Sequence, residues 1–263
     1  MQTEPWAFHH ELDPELFTLD KLEALREAAP AGAFGAQLAD TGFERPAGTG
    51  PTPVELEGTI AEEIGRRPLH LHFHDVAGWA PEYARARDQV FEAAGLDADE
   101  PRYAIETVIR IFSPDVPVAL HSDGEIQLDC GVGGRNVWHV GPLSALSTSE
   151  HESLLRGGQF LRWRELAPVE TFDLRPGDGF GSPPRWPHWL EHPGPDPAVS
   201  FEVGYWTAAA IRERKIWDVN WMLRKARLNP RGPGANASRD AAKTKLFDLI
   251  SQVTGKGKEF RGA

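Results

Sequence analysis

The chain of 263 residues has one cysteine, Cys130. That excludes an internal disulfide framework and suits a reducing cytoplasm. No apolar run approaches the roughly 20 residues of a membrane helix, so no membrane partner is expected. The start, Met1-Gln2-Thr3-Glu4-Pro5-Trp6, has neither the basic stretch nor the apolar run of a secretory signal. There is no Gly-rich loop ending in Gly-Lys-Ser/Thr and no Gly-x-Ser-x-Gly elbow. Nucleotide hydrolysis and serine hydrolase chemistry therefore lack support. Internal repeats and low-complexity segments are absent as well.

What remains is a globular composition, 40% hydrophobic and 25% charged, enough for one large domain or two small ones. Nine tryptophans point to an aromatic-rich core or pocket. The net charge of -11 is uneven: from Ile211 onward 13 Lys/Arg stand against 5 Asp/Glu, so this tail is +8 and the rest -19. An acidic body does not attract nucleic acid. Only the basic tail could, and it equally suits a solvated terminal helix or one folded back on the acidic body. Trp217, Trp221 and Leu228 exceed what a solvated helix exposes, which predicts either a homodimer or packing on the body.

Periodicity divides the chain into three parts. Residues 1–68 read as an N-terminal helical and loop segment, with a helix capped by Thr18 or Asp20 and ended by Pro30. A Gly/Ala/Thr/Pro-rich loop over 32–53 and a short helix over 54–66 follow. Residues 69–206 alternate as many short strands between turns. The strict alternation Leu69-His70-Leu71-His72-Phe73-His74 leads, a helix over 80–94 interrupts, and a short helix from Ser149 ends at Gly157-Gly158. Residues 207–263 read as two helices separated by a Pro/Gly break, with fraying from Lys256. The fold class predicted is mainly β with flanking helices, a jelly-roll barrel wrapped at both ends.

Two segments carry the chemistry. His121 and Asp123 are two apart and would face the same way on a strand. Far downstream, Pro187-His188-Trp189 supplies a second imidazole. Two imidazoles and one carboxylate occupy one face of a non-haem Fe(II) and leave its other positions open. The plainer alternative is that Ser122-Asp123-Gly124 is an ordinary surface turn.

The stretch from Gly177 through Pro183, Arg185 and His188 to His192 resembles the second cupin motif. Its spacing matches throughout, with Arg185 in place of a Gly and His192 in place of an Asn. Ser113-Pro114, His121-Ser122-Asp123-Gly124-Glu125 and Gly133-Gly134-Arg135-Asn136-Val137-Trp138-His139-Val140 resemble the JmjC-type branch. The match is to bacterial "cupin-like" proteins, often labelled transcriptional regulators, whose relatives include Fe(II)/2-oxoglutarate hydroxylases and demethylases. It covers about 69–206 and implies a double-stranded β-helix. It also implies Fe(II) held by His121, Asp123 and His188, 2-oxoglutarate as co-substrate, and a protein side chain or small molecule as substrate. In the family a Lys on the strand after His-x-Asp usually holds the far carboxylate of 2-oxoglutarate. Aligned on the preceding Gly, Arg135 takes that place; counted without gaps, Asn136 does. The two point to opposite faces. Gln127 and His139 are further candidates for the co-substrate, while the family's frequent Thr is Val118 here.

Other readings compete. His70, His72 and His74 share a strand face and would suit zinc. Their i, i+2, i+4 positions span about 13 Å, too far for one ion. Glu125 is a fourth ligand or an orienting neighbour. His192 is structural or supports the ligands. A ligand-binding regulatory cupin without turnover is the alternative function.

Overall fold

The computed structural model describes residues 2–39, 52–155 and 166–255. Eleven strands form two antiparallel sheets. The large sheet is built from β1 (Trp6–His9), β2 (Phe34–Leu38), β3 (Leu69–His74), β4 (Tyr103–Phe112), β6 (Ile126–Gly133), β9 (Asp178–Ser182) and β11 (Ala198–Trp206), in the order β1-β9-β6-β11-β4-β3-β2. The small one holds β5 (Val118–His121), β7 (Asn136–Val140), β8 (Glu170–Leu174) and β10 (His188–Glu191), in the order β5-β10-β7-β8.

This corrects the expected mainly-β barrel. Neither sheet closes on itself, and helical residues outnumber strand residues among those described. The physical reason lies near the N-terminus. β1 pairs with β9, and β2, inside the stretch expected to be loop, pairs with β3. They extend both edges of the large sheet beyond a four-stranded partner, so the structure is a mixed α/β arrangement of two open sheets.

Alternation decides what each face of the large sheet meets. Leu71 and Phe73 of β3, Ile109 and Ile111 of β4, Leu128 and Cys130 of β6, and Phe201 and Val203 of β11 are fully buried on one face. They pack with α1 (Leu19–Ala28), α2 (Ile60–Arg66), α3 (Val76–Trp79) and α4 (Pro81–Ala93) through Leu22, Ile60, Ile64, Val76, Tyr83 and Val90. Each such side chain contributes roughly 1.5–3 kcal/mol of burial free energy. The opposite face turns toward the small sheet. There Phe112, Phe180 and Ala198 meet Trp138, Val140, Phe172, Leu174 and Leu190 in a second, smaller core.

The helices start where chemistry predicts. Thr18 Oγ1 accepts from the Lys21 N–H at the head of α1, and Thr59 with Glu62 forms a capping box on α2. A short α5 (Thr148–Leu154) leads toward β8; its expected stop at Gly157-Gly158 lies outside the described residues, as does the tail from Lys256. Thr207 caps α6 (Ala208–Lys225), and Asn236 caps α7 (Ala237–Thr254). Among the described residues no helix is long and apolar enough to cross a membrane.

Candidate metal centre

His121 ends β5 and His188 begins β10, and the two are direct partners across the antiparallel pair. Strand pairing alone therefore sets the imidazoles side by side. Each ring is then turned by a carbonyl of its own strand approach: His121 Nδ1 lies 2.8 Å from the Ala119 oxygen, and His188 Nδ1 lies 2.9 Å from that of Trp186. An Nδ1 that donates to a carbonyl leaves Nε2 as a bare lone pair. The two Nε2 atoms stand 3.1 Å apart.

Asp123 was expected on the strand with His121. It sits instead in the turn after β5. Gly124 makes that turn possible, because a Cβ there would lie 2.5 Å from the Trp206 ring. Asp123 Oδ2 is 3.2 Å from His188 Nε2 and 4.0 Å from His121 Nε2. His121, Asp123 and His188 thus offer three ligand atoms within 4.8 Å of one another, the one such group of three among the described residues. Two donors at about 2.1 Å from one ion and at right angles stand about 3.0 Å apart. The Nε2–Nε2 and His188–Asp123 separations match that spacing; the His121–Asp123 one is wider.

The electrostatics agree. Burial, then the neighbouring His188, pushes the His121 pKa down to about 4, so its lone pair is free at neutral pH. Burial works to raise the Asp123 carboxyl, but the imidazoles of His188 and His121 and the guanidinium of Arg110 around it outweigh that and hold the group well below the usual carboxylate range. With both Nδ1 atoms turned to carbonyls, two imidazole Nε2 lone pairs and a carboxylate oxygen face one another, an arrangement that a cation between them stabilises. The donor set fits a divalent transition metal.

The other sequence candidates are dispersed. Arg135 is at the surface, in a two-bonded pair with Asp173 at 2.7 and 2.8 Å. Asn136 is fully buried, its Oδ1 2.7 Å from His192 Nδ1, and its Nδ2 is buried without a hydrogen-bond partner among the described residues. Asn136, one of the two candidates for the family's Lys place, thus bonds His192, which stands where the resembling motif has an Asn. Burial takes His192 down to a pKa of about 3, so this pair is neutral. His139 lies on the far face of β7, stacked on Trp189 with ring centroids 5.2 Å apart and 3.2 Å from Thr171 Oγ1. Gln127 shares a face of β6 with Asp129, toward the small sheet. Glu125 is outside the converging group; burial and the charge of Asp123 raise its pKa to about 7. His70, His72 and His74 do not converge either: His70 Nδ1 bonds Gln37, and His74 Nδ1 bonds Glu106.

A charged cluster that sequence reasoning missed lies on the same face of the large sheet as Gln127. Arg110 of β4 pairs with Glu202 of β11 at 2.6 Å, and Glu202 stands opposite Asp129 of β6. Burial, then the charge of Glu202, raises the Asp129 pKa well above the usual carboxylate range. The signal was present: Ile109-Arg110-Ile111, Leu128-Asp129-Cys130 and Phe201-Glu202-Val203 each set one charge inside an apolar strand.

The fold around this centre is one known from solved structures. Solved structures of YcfD, a ribosomal oxygenase from Escherichia coli, share it. The complex with cobalt and 2-oxoglutarate superposes with a TM-score of 0.53 at 17% identity, over 98% of this chain and 65% of that one. The complex with cobalt and succinic acid gives 0.51 at 17% identity, over 97% and 64%. The chain therefore spans a little under two thirds of the YcfD chains it matches. No protein-family model matches the sequence, and no curated protein does.

Proposed function

We propose that this protein is an Fe(II)- and 2-oxoglutarate-dependent oxygenase that hydroxylates a protein side chain or a small molecule. The observation that carries the reading is the convergence of His121 Nε2, His188 Nε2 and Asp123 Oδ2, with both Nδ1 atoms committed to carbonyls. His121, Asp123 and His188 would hold the iron, which when bound supplies the O₂ chemistry that couples 2-oxoglutarate oxidation to oxidation of a C–H bond. The buried rings of Trp138 and Phe180 keep water from the His188 side.

A dicarboxylate co-substrate needs a cation and donors on the face of the large sheet that turns toward the metal ligands. Arg110, Asn136 and Gln127 lie on that side and are the residues to hold it; Arg135 and His139 face away. The lone, buried Cys130 supports work in a reducing compartment such as the cytoplasm.

The neutral Asn136–His192 pair favours a second reading, a ligand-binding protein of the same fold without turnover. Anaerobic Fe(II) titration with and without 2-oxoglutarate separates the two. Stoichiometric Fe(II) and a weak visible charge-transfer band only when both are present support the oxygenase. Fe(II) uptake with no band at saturating 2-oxoglutarate supports the binding protein. No Fe(II) uptake removes both.

A further inference from the structure

Arg185 holds a backbone conformation that its side chain disfavours. Its φ is +74°, in the left-handed region suited to glycine, and it occupies the place where the resembling motif has glycine. Strain of this kind persists only where surrounding contacts hold it. Two contacts do so here. The Arg185 N–H donates to the Asp123 carbonyl at 2.7 Å, and its Nε lies 2.8 Å from Glu213 Oε1 on α6. Glu213 is in turn fixed by the Trp217 Nε1–H at 3.2 Å. The neighbouring Arg214 does not compete, since it pairs with Asp218.

We infer that Arg185 is a positioning residue for the metal centre, a latch by which α6 sets the turn that carries Asp123. The chain of contacts runs from Trp217 to Glu213, from Glu213 to the Arg185 side chain, and from the Arg185 backbone to Asp123. Glycine at 185 would adopt the turn more cheaply but would free it from α6. A small cavity lined by Gly124, Pro184, Arg185, Glu213 and Trp217 adjoins the latch, so the ion pair rather than close packing carries the link. Asp123 also lacks a strand to hold it, unlike His121 and His188. Its carboxylate is the ligand whose place depends most on such a tether.

This inference rests on the metal-site reading above. The test is Co(II) titration of the whole protein, read as Kd and as the visible Co(II) spectrum, for the parent, Arg185→Gly, Arg185→Lys and Glu213→Gln, with Tm measured alongside. Arg185→Gly should keep or raise Tm while weakening Co(II) binding by about 10-fold or more, the range for residues that orient metal ligands. Its spectrum should shift as the Asp123 ligand loosens. Glu213→Gln should weaken binding less, and Arg185→Lys should recover part of the loss. Parent affinity and spectrum in Arg185→Gly overturn the latch, and so does a fall in Tm with Kd unchanged. A parent that takes up no Co(II) overturns the metal-site reading and the latch with it.

Discussion

The two faces of the large sheet are made by the same strands and obey opposite rules. On the helix side, Ile109, Ile111, Leu128, Cys130, Phe201 and Val203 form a dry core. On the other side the alternate residues of those strands include Arg110, Asp129, Ser200 and Glu202, on the face toward the small sheet that carries His121 and His188. One face stabilises by removing apolar area from water. The other carries buried charges, which cost desolvation and are tolerated only when paired. Stability and chemistry are thus separated by a period of two along each strand.

That separation breaks most visibly under truncation of the dry face. Phe201 is fully buried and touches the rings of Phe17 and Tyr83. Phe201→Ala should cost about 3–5 kcal/mol in urea unfolding. Co(II) stoichiometry of the folded fraction should stay that of the parent. Loss of metal binding with stability retained would show that the faces are coupled.

The polar face should respond to pairing rather than size. Arg110→Met leaves the Glu202 carboxylate buried without its cation, at a cost of about 3 kcal/mol. Adding Glu202→Leu should restore most of it, a coupling a double-mutant cycle in urea measures directly. Additive losses would mean that the ion pair is not the unit of stability there.

Much of this contrast was readable in the sequence, and the unread part has a physical cause. Alternation located β3, and the residue types of His121, Asp123 and His188 survived separation by more than sixty positions. What alternation cannot supply is the partner of a strand. β1 and β2 are short, four and five residues, and become strands because β9 and β3 offer them open edges. The same limit hid which of Arg135 and Asn136 turns inward. Gly134, at φ +63°, sets the turn between β6 and β7 and so decides the face. Asp123 was placed on a strand by its spacing from His121, but the strand ends at His121 itself.

Acid should weaken the polar side before it touches the dry core. Burial, then the charges of His74 and Arg110, lowers the His72 pKa to about 4, and burial lowers that of His192 to about 3. Both lie below the ordinary value of 6.5. Between these limits each of these two histidines binds more protons in the unfolded chain than in the native one, so its contribution to stability rises with pH across the window, against the opposite contribution of Glu125 and Asp129. It is fully present above pH 6.5 and lost as pH falls toward 4 and then 3. One unit below 6.5, the loss is about 1 kcal/mol per histidine. Urea unfolding of metal-free His72→Gln and His192→Gln beside the parent from pH 7.5 to 5 tests this, and profiles parallel to the parent's would mean that neither ring is held neutral.

The smallest effect belongs to a residue chosen from the sequence for a large one. Arg135 pairs with Asp173 at the surface, where ion pairs are screened and contribute little. Arg135→Ala should leave Tm, Co(II) affinity and the 2-oxoglutarate response unchanged. Asn136→Ala, one position along and on the opposite face, should alter the response to 2-oxoglutarate while leaving Co(II) affinity intact, because Asn136 bonds His192 and not the three ligands. Paired titrations of the two variants make the period of two itself the measured quantity. If Arg135→Ala were the one to lose the co-substrate, the turn at Gly134 would have to place the strand one residue out of register, and every inward and outward assignment along β7 would reverse with it.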